Sequence, residues 1–150
     1  MNYKKILFAT DFSDASDAAF QYAVSLARDS GALLLIVHVQ ELPTPYAAGE
    51  MLMPTSEYPN PELRHMLEAV VPADKSIRCE HELTLGSPAE NIVAVATDRG
   101  ADLIVIGTHG RTGLKRVLMG SVAEAVMRLA GCPVLTVKQA NKVPASIAAN

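Results

Sequence analysis

Apolar residues gather in short unbroken runs at positions 6–9, 33–39, 103–106 and 134–137. Each run is continuous instead of alternating, which is the pattern of strands covered by other layers on both faces. A weaker alternating stretch at 78–85 supplies a fifth strand. Between these runs the spacing turns helical, most clearly over 14–28. There Ala15, Ala19, Tyr22, Ala23, Leu26 and Ala27 fall on one stripe and Gly31 stops it. Two more helices announce themselves by their start signals. Ser87-Pro88-Ala89-Glu90 and Ser121-Val122-Ala123-Glu124 read as capping boxes, the first with proline at the opening helical position. Gly100 and Gly131 stand just past the respective ends, where a left-handed residue is wanted. A short helix over about 62–71 follows a stretch, 43–61, whose five prolines predict a long loop. The resulting order, β-α-β-(α)-β-α-β-α-β, calls for an α/β fold: one open, mostly parallel five-stranded sheet with helices on both faces.

At 150 residues, about half of them apolar, the chain has the size of one domain, and no internal repeat divides it. The domain is expected over 1–138, with 139–150 a loose polar, alanine-rich tail. Net charge is −3, so there is no basic surplus to neutralise a run of phosphates, and nucleic acid is not expected as a partner. The first apolar run is short and is quickly followed by Asp11, which predicts neither a signal peptide nor membrane insertion and hence a cytoplasmic protein. Cys79 and Cys132 form no CxxC, so neither a disulfide framework nor a zinc site is suggested, and both are expected to be buried thiols.

Chemistry concentrates in the segment from Gly107 to Ser121, which begins where the fourth strand ends and closes at the start of the last helix. In an open parallel sheet, ligands bind at the carboxyl ends of the strands where strand order reverses. A glycine-rich loop feeding a helix start offers bare N–H groups to an anion there. No GxxxxGK[ST] occurs, and no GxGxxG follows the first strand, so a P-loop ATPase and a dinucleotide-binding dehydrogenase are both excluded. On spacing alone, the glycines are equally compatible with turns that serve only the fold.

The spacing Gly107-x2-Gly110-x9-Gly120-Ser121 resembles the ATP-binding signature of universal stress proteins. Three further matches, in the right order, join it: Lys5 to Ser13 with Asp11 inside, Ile36 to Val39, and Gly131 to Val137. The resemblance spans about residues 3–138, interrupted by the proline-rich loop. It implies a Rossmann-like, adenine nucleotide alpha hydrolase-like fold with strand order 3-2-1-4-5. It also implies an adenine-nucleotide site for ATP or AMP, with magnesium as an optional companion. Asp11, at the end of the first strand with Ala9 and Thr10, would hydrogen-bond the nucleoside part, and the backbone around Val39 would read the adenine edge. Gly107, Gly110, Gly120 and Ser121 would contact ribose and phosphate, with Gly113 and Val122 beside them. His109 and Arg111 could add charge for a polyphosphate. From the residues themselves, Asp11 could instead cap the helix starting near Ser13, although Ser13 can do so unaided. Ser121 could cap the last helix or donate to phosphate.

His38 reads as a core or strand-end residue, and His65 and His81 carry no ligand spacing. Met51, Leu52 and Met53 read as an apolar loop packed on its own domain. The loop from Gly107 to Gly120 contains no acid and no GxSxG elbow occurs, so no catalytic residue is assigned. The reading is a nucleotide-binding stress-response module, with a slow ATPase or other hydrolase and an empty interaction scaffold as alternatives. The family also implies a homodimer, through an apolar edge strand at 133–137.

Overall fold

The computed structural model describes residues 2–42, 58–109 and 119–139. Its elements run β1 (Lys5–Ala9), α1 (Asp14–Ser30), β2 (Leu33–Gln40), α2 (Pro61–Glu68), β3 (Cys79–Leu85), α3 (Pro88–Arg99), β4 (Leu103–Gly107), α4 (Ser121–Leu129) and β5 (Val134–Val137). Among the described residues one five-stranded sheet forms in the order β3-β2-β1-β4-β5, and every strand pair is parallel. The expected topology therefore stands, with "mostly parallel" sharpened to wholly parallel.

The unbroken apolar runs follow from the two layers that cover the sheet. Ile6, Phe8, Leu34, Ile36 and Val105 pack with the alanines of α1 and with Leu67 of α2. Their neighbours in sequence, Leu7, Leu35, Val37, Ile104 and Ile106, pack with Ile92 and Val95 of α3 and Ala123 and Val126 of α4. Alternate residues along one strand thus enter different cores, and both sets must be apolar. β3 lies at an edge and has no fully buried residue along its length, which suits its weaker, alternating pattern.

The stripe on α1 is narrower than expected. Ala15, Ala19, Ala23 and Ala27 recur every four residues and are buried, whereas Tyr22 stands about 100° round the helix from Ala23 and is 58% exposed. Side chains of one carbon let α1 lie close to the sheet.

Helix ends bear out some of the start and stop signals and correct others. Gly31 and Gly100 close α1 and α3 at φ 71° and 66°, a left-handed geometry that glycine takes without strain. Gly131 does not close α4: the cap is Ala130, extended at φ −66° and ψ 139°, because the chain turns at once through Cys132 and Pro133 into β5. Ser87 is the N-cap of α3, yet its side chain makes no capping bond. At α4 the N-cap is Gly120, so Ser121 is the first helical residue and no capping box forms there. α2 starts one residue earlier than expected and ends three earlier, with Asn60 Oδ1 accepting from the Glu62 amide and Pro61 at the first position.

Far from the cleft described below, Asp102 ties the strand starts together: its Oδ2 accepts from the main-chain N–H of Lys4 and of Lys5 at 2.8 and 3.0 Å. Those bonds hold its carboxyl below the usual carboxylate range. Cys79 and Cys132 are free thiols, as expected, but they are partly exposed because each sits at the margin of a core cluster, not inside it. Partial burial still pushes both thiols up. Among the described residues no helix is long and apolar enough to cross a membrane. The expected loop at 43–57, the Met51–Met53 patch and the tail from 140 onward lie outside the described residues.

Candidate functional site

β1 is central, and the chain leaves it in one direction toward β2 and β3 and returns on its other side as β4 and β5. Where the two halves part, the carboxyl ends of β1, β2 and β4 open into a cleft of about 550 Å³, within the usual range for small-molecule sites. Pro88 and Ile92 of α3 form one apolar wall, with Leu63 of α2 also at its rim. Ser121, Val122 and Ala123 bring the first turn of α4 to it.

The register of the sheet accounts for what the main chain of Val39 offers the cleft. Even-numbered residues of β2 direct their main-chain groups to β3, as in Leu34 N–H to Arg78 carbonyl and Gly86 N–H to Gln40 carbonyl. Odd-numbered ones direct theirs to β1, as in Leu33 N–H to Lys4 carbonyl and Thr10 N–H to Val37 carbonyl. The last register pair between the two strands is Ala9 with Val37. Val39 lies two residues beyond, with its main-chain N–H and C=O turned toward a strand that has ended, and it lines the cleft. A planar ligand edge carrying one donor and one acceptor is what such a pair recognises.

Ala9, Thr10 and Asp11 form the floor beside it. Asp11 Oδ1 accepts from the Ser13 amide at 3.0 Å and from the hydroxyls of Ser13 and Ser16, each at 2.5 Å. Ser13 is at the same time the N-cap of α1, accepting from the Ser16 amide. The helix is therefore capped without Asp11, whose carboxylate is fixed by the same serines at the cleft wall. Phe12 bridges the turn at φ 64°, an uncommon left-handed conformation for a residue of its size. Its amide donates to Thr10 Oγ1, and its ring lies 4.5 Å from that of His38. His38 is buried, and its Nδ1 is 2.7 Å from the Thr10 carbonyl. A carbonyl only accepts, so Nδ1 carries the proton. His38 is thus a strand-end residue as expected, while also contributing to the cleft lining.

The glycines separate on inspection. Gly107 lines the cleft, and a Cβ at this position would stand 2.9 Å from the carbonyl oxygen of Ala15. The close approach of α1 thus demands glycine there whatever the cleft holds. Gly120 is not in the lining, and its amide donates to the Thr108 carbonyl at 2.5 Å, closing the base of the loop. The N–H groups left without an intrahelical acceptor are those of Ser121, Val122 and Ala123, since the first helical bond runs from Glu124 to Gly120. His109 lines the cleft with Nδ1 3.2 Å from Thr108 Oγ1. Gly110, Arg111 and Gly113 lie outside the described residues.

Sequence reasoning missed Ser16, although the serines two and five positions after Asp11 were there to be read. It also missed Thr108, whose role as a main-chain acceptor leaves no mark in residue type. The apolar wall of Leu63, Pro88 and Ile92 was invisible because it is assembled from two helices far apart in sequence. Among the described residues the lining carries the carboxylates of Asp11 and Glu41 and neither Lys nor Arg. No group of three His, Cys, Asp or Glu side chains there could hold a metal ion.

The frame is that of an open, doubly wound α/β domain with a ligand-sized cleft at its switch point. The family profile described as "Universal stress protein family" matches residues 2–138, and the chain belongs to that family. It is 35% identical to the universal stress protein MJ0531 of Methanocaldococcus jannaschii, over 93% of this chain and 85% of that one. To MJ0577 of the same organism it is 31% identical, over 93% and 97%. The solved structure of MJ0577 superimposes with a TM-score of 0.69, covering 95% of this chain and all of that one at 29% identity. A universal stress protein solved in complex with cAMP gives a TM-score of 0.65 at 25% identity, covering 91% and 98%. One from Archaeoglobus fulgidus solved in complex with dAMP gives 0.64 at 26%, covering 92% and 100%.

Proposed function

We propose that the cleft binds an adenine nucleotide, ATP or AMP, and that the protein is a dimeric cytoplasmic binding module whose output is a change of conformation or partner, not fast turnover. The observation that carries the reading is the main chain of Val39, which offers one donor and one acceptor past the end of β1. That pair suits the adenine edge. Asp11 stands where a nucleoside hydroxyl would lie, and the amides of Ser121 and Val122 offer N–H groups to phosphate. Each charge-assisted N–H to phosphate bond is worth about 1.5–3 kcal/mol, against about 0.3–1 kcal/mol for the helix dipole, so the amides dominate. The cAMP and dAMP carried by two structural neighbours support an adenine ligand. Gly110, Arg111 and Gly113 belong to the proposal as loop contacts, with His109 and Gly120 at its two ends. The domain it occupies is 1–138.

Magnesium fits this wall poorly. Asp11 Oδ1 already accepts three hydrogen bonds, and no cluster of metal-binding side chains exists among the described residues, so no step is assigned to the ion.

Denaturing purified protein should release adenine nucleotide into the supernatant, and calorimetric titration with ATP, ADP and AMP should show saturable binding. Failure of all three to bind, with nothing released, would leave the family fold without this function. Phosphate release from ATP is expected to stay below about one turnover per second; a faster rate would make the protein an enzyme.

A further inference from the structure

We propose that Ser16 is a positioning residue for the nucleoside end of the cleft, acting through Asp11. The inference rests on the adenine-nucleotide reading above and adds a residue to it. Ser16 belongs to the first turn of α1, is 5% exposed, and lines the cleft beside Asp11. Its hydroxyl meets Asp11 twice. It donates to the carboxylate Oδ1 at 2.5 Å and accepts from the Asp11 main-chain N–H at 3.1 Å. One side chain on the rigid helix therefore holds both the backbone and the carboxylate of the residue after next to β1.

Ser13 cannot substitute for it. Ser13 lies two residues from Asp11 in the same turn, so its bonds to Oδ1 move with the turn. Ser16 is five residues away and buried, and it ties the main chain of Asp11 as well as its carboxylate directly to α1, whereas Ser13 meets the carboxylate alone. The turn needs such a tie, because the next residue, Phe12, is held in the left-handed region. Without the hydroxyl, Asp11 keeps its local bonds to Ser13 but gains rotamer and backbone freedom, which a ligand must then remove.

The test is a double-mutant cycle of Ser16→Ala and Asp11→Ala, read by calorimetric affinity for ATP and for adenosine, with a thermal melt of each variant. Ser16→Ala is expected to weaken both ligands about 10-fold, as loss of one hydrogen bond to a charged group would. In the Asp11→Ala background the same change should do almost nothing, because there is no carboxylate left to position. An equal loss in both backgrounds would make Ser16 merely structural and overturn the proposal. So would no loss at all, or a loss with ATP that is absent with adenosine. If Ser16→Ala does not fold, Ser16→Cys takes its place, keeping the side chain's shape while giving up most of the hydrogen bond. Wild-type protein that binds no nucleotide would overturn the reading of the cleft and this assignment with it. Wild-type protein that binds while Ser16→Ala is unaffected would overturn this assignment alone.

Discussion

At the scale of single residues, glycines of one signature do different jobs. Gly107 faces the carbonyl of Ala15 across a gap that a methyl group would close to 2.9 Å, and backbone gives way less readily than a side chain. Gly107→Ala should therefore destabilise the fold by about 1–3 kcal/mol, seen as a lower urea midpoint with or without ligand. Gly120 is extended at φ −68° and ψ 158°, which any residue adopts, so Gly120→Val should fold with only a modest loss of cap stability. Its branched side chain would stand next in sequence to the Ser121 amide, the first of the N–H groups that α4 leaves without an intrahelical acceptor. ATP affinity is expected to fall 10-fold or more, and an unchanged calorimetric titration of folded variant would argue strongly against the phosphate end of the site. Neither distinction is legible in the glycine spacing. A sequence shows that a side chain is missing, and only packing shows which neighbour required it.

At the scale of elements, the legible parts were those fixed by simple repetition. Strands β1, β2, β4 and β5 stand where the apolar runs stand, because each run has two cores to fill. Helix ends were legible where left-handed geometry forces the residue, at Gly31 and Gly100. They were misread at Ser121, where a serine and a glutamate three apart imitate a capping box although Gly120 already does the capping. The tie between β1 and β4 was not legible, since it depends on Asp102 reaching the amides of Lys4 and Lys5 almost a hundred residues earlier. That tie predicts a pH response. Asp102 titrates lower folded than unfolded, so its contribution is present above about pH 4 and is lost as the pH falls through its depressed value. Urea midpoints of wild type and Asp102→Asn should differ at pH 6 and draw together as the pH is taken below the ordinary carboxylate range; a constant gap would show that the carboxylate's charge is not what the tie uses.

At the scale of the whole molecule, the proposed dimer turns on which groups β5 leaves unused. The bonds from Ile104 to Pro133 and from Thr108 to Val137 show that odd-numbered residues of this strand face β4. Val134 and Thr136 thus turn their main-chain groups to the outer edge of the sheet, where a second copy can pair. Val137 is buried, so a charge there would test folding before it tested assembly. Thr136→Pro is the sharper variant, for it removes an outward N–H and no bond of the ladder. It should convert dimer to monomer by light scattering on a sizing column with an unchanged far-UV spectrum. A dimer that survives would place the contact elsewhere, with the exposed Met127 and Leu129 of α4 the next surface to probe.

The hydrogen bond between Gly120 and Thr108 has a further meaning for the cleft. It ties the residue that follows β4 to the N-cap of α4 by one direct bond, so a strand end and a helix start that both border the cleft are held at a fixed spacing. A ligand that met both ends of this span would find their separation already set by the fold, with no ordering cost to meet at that point.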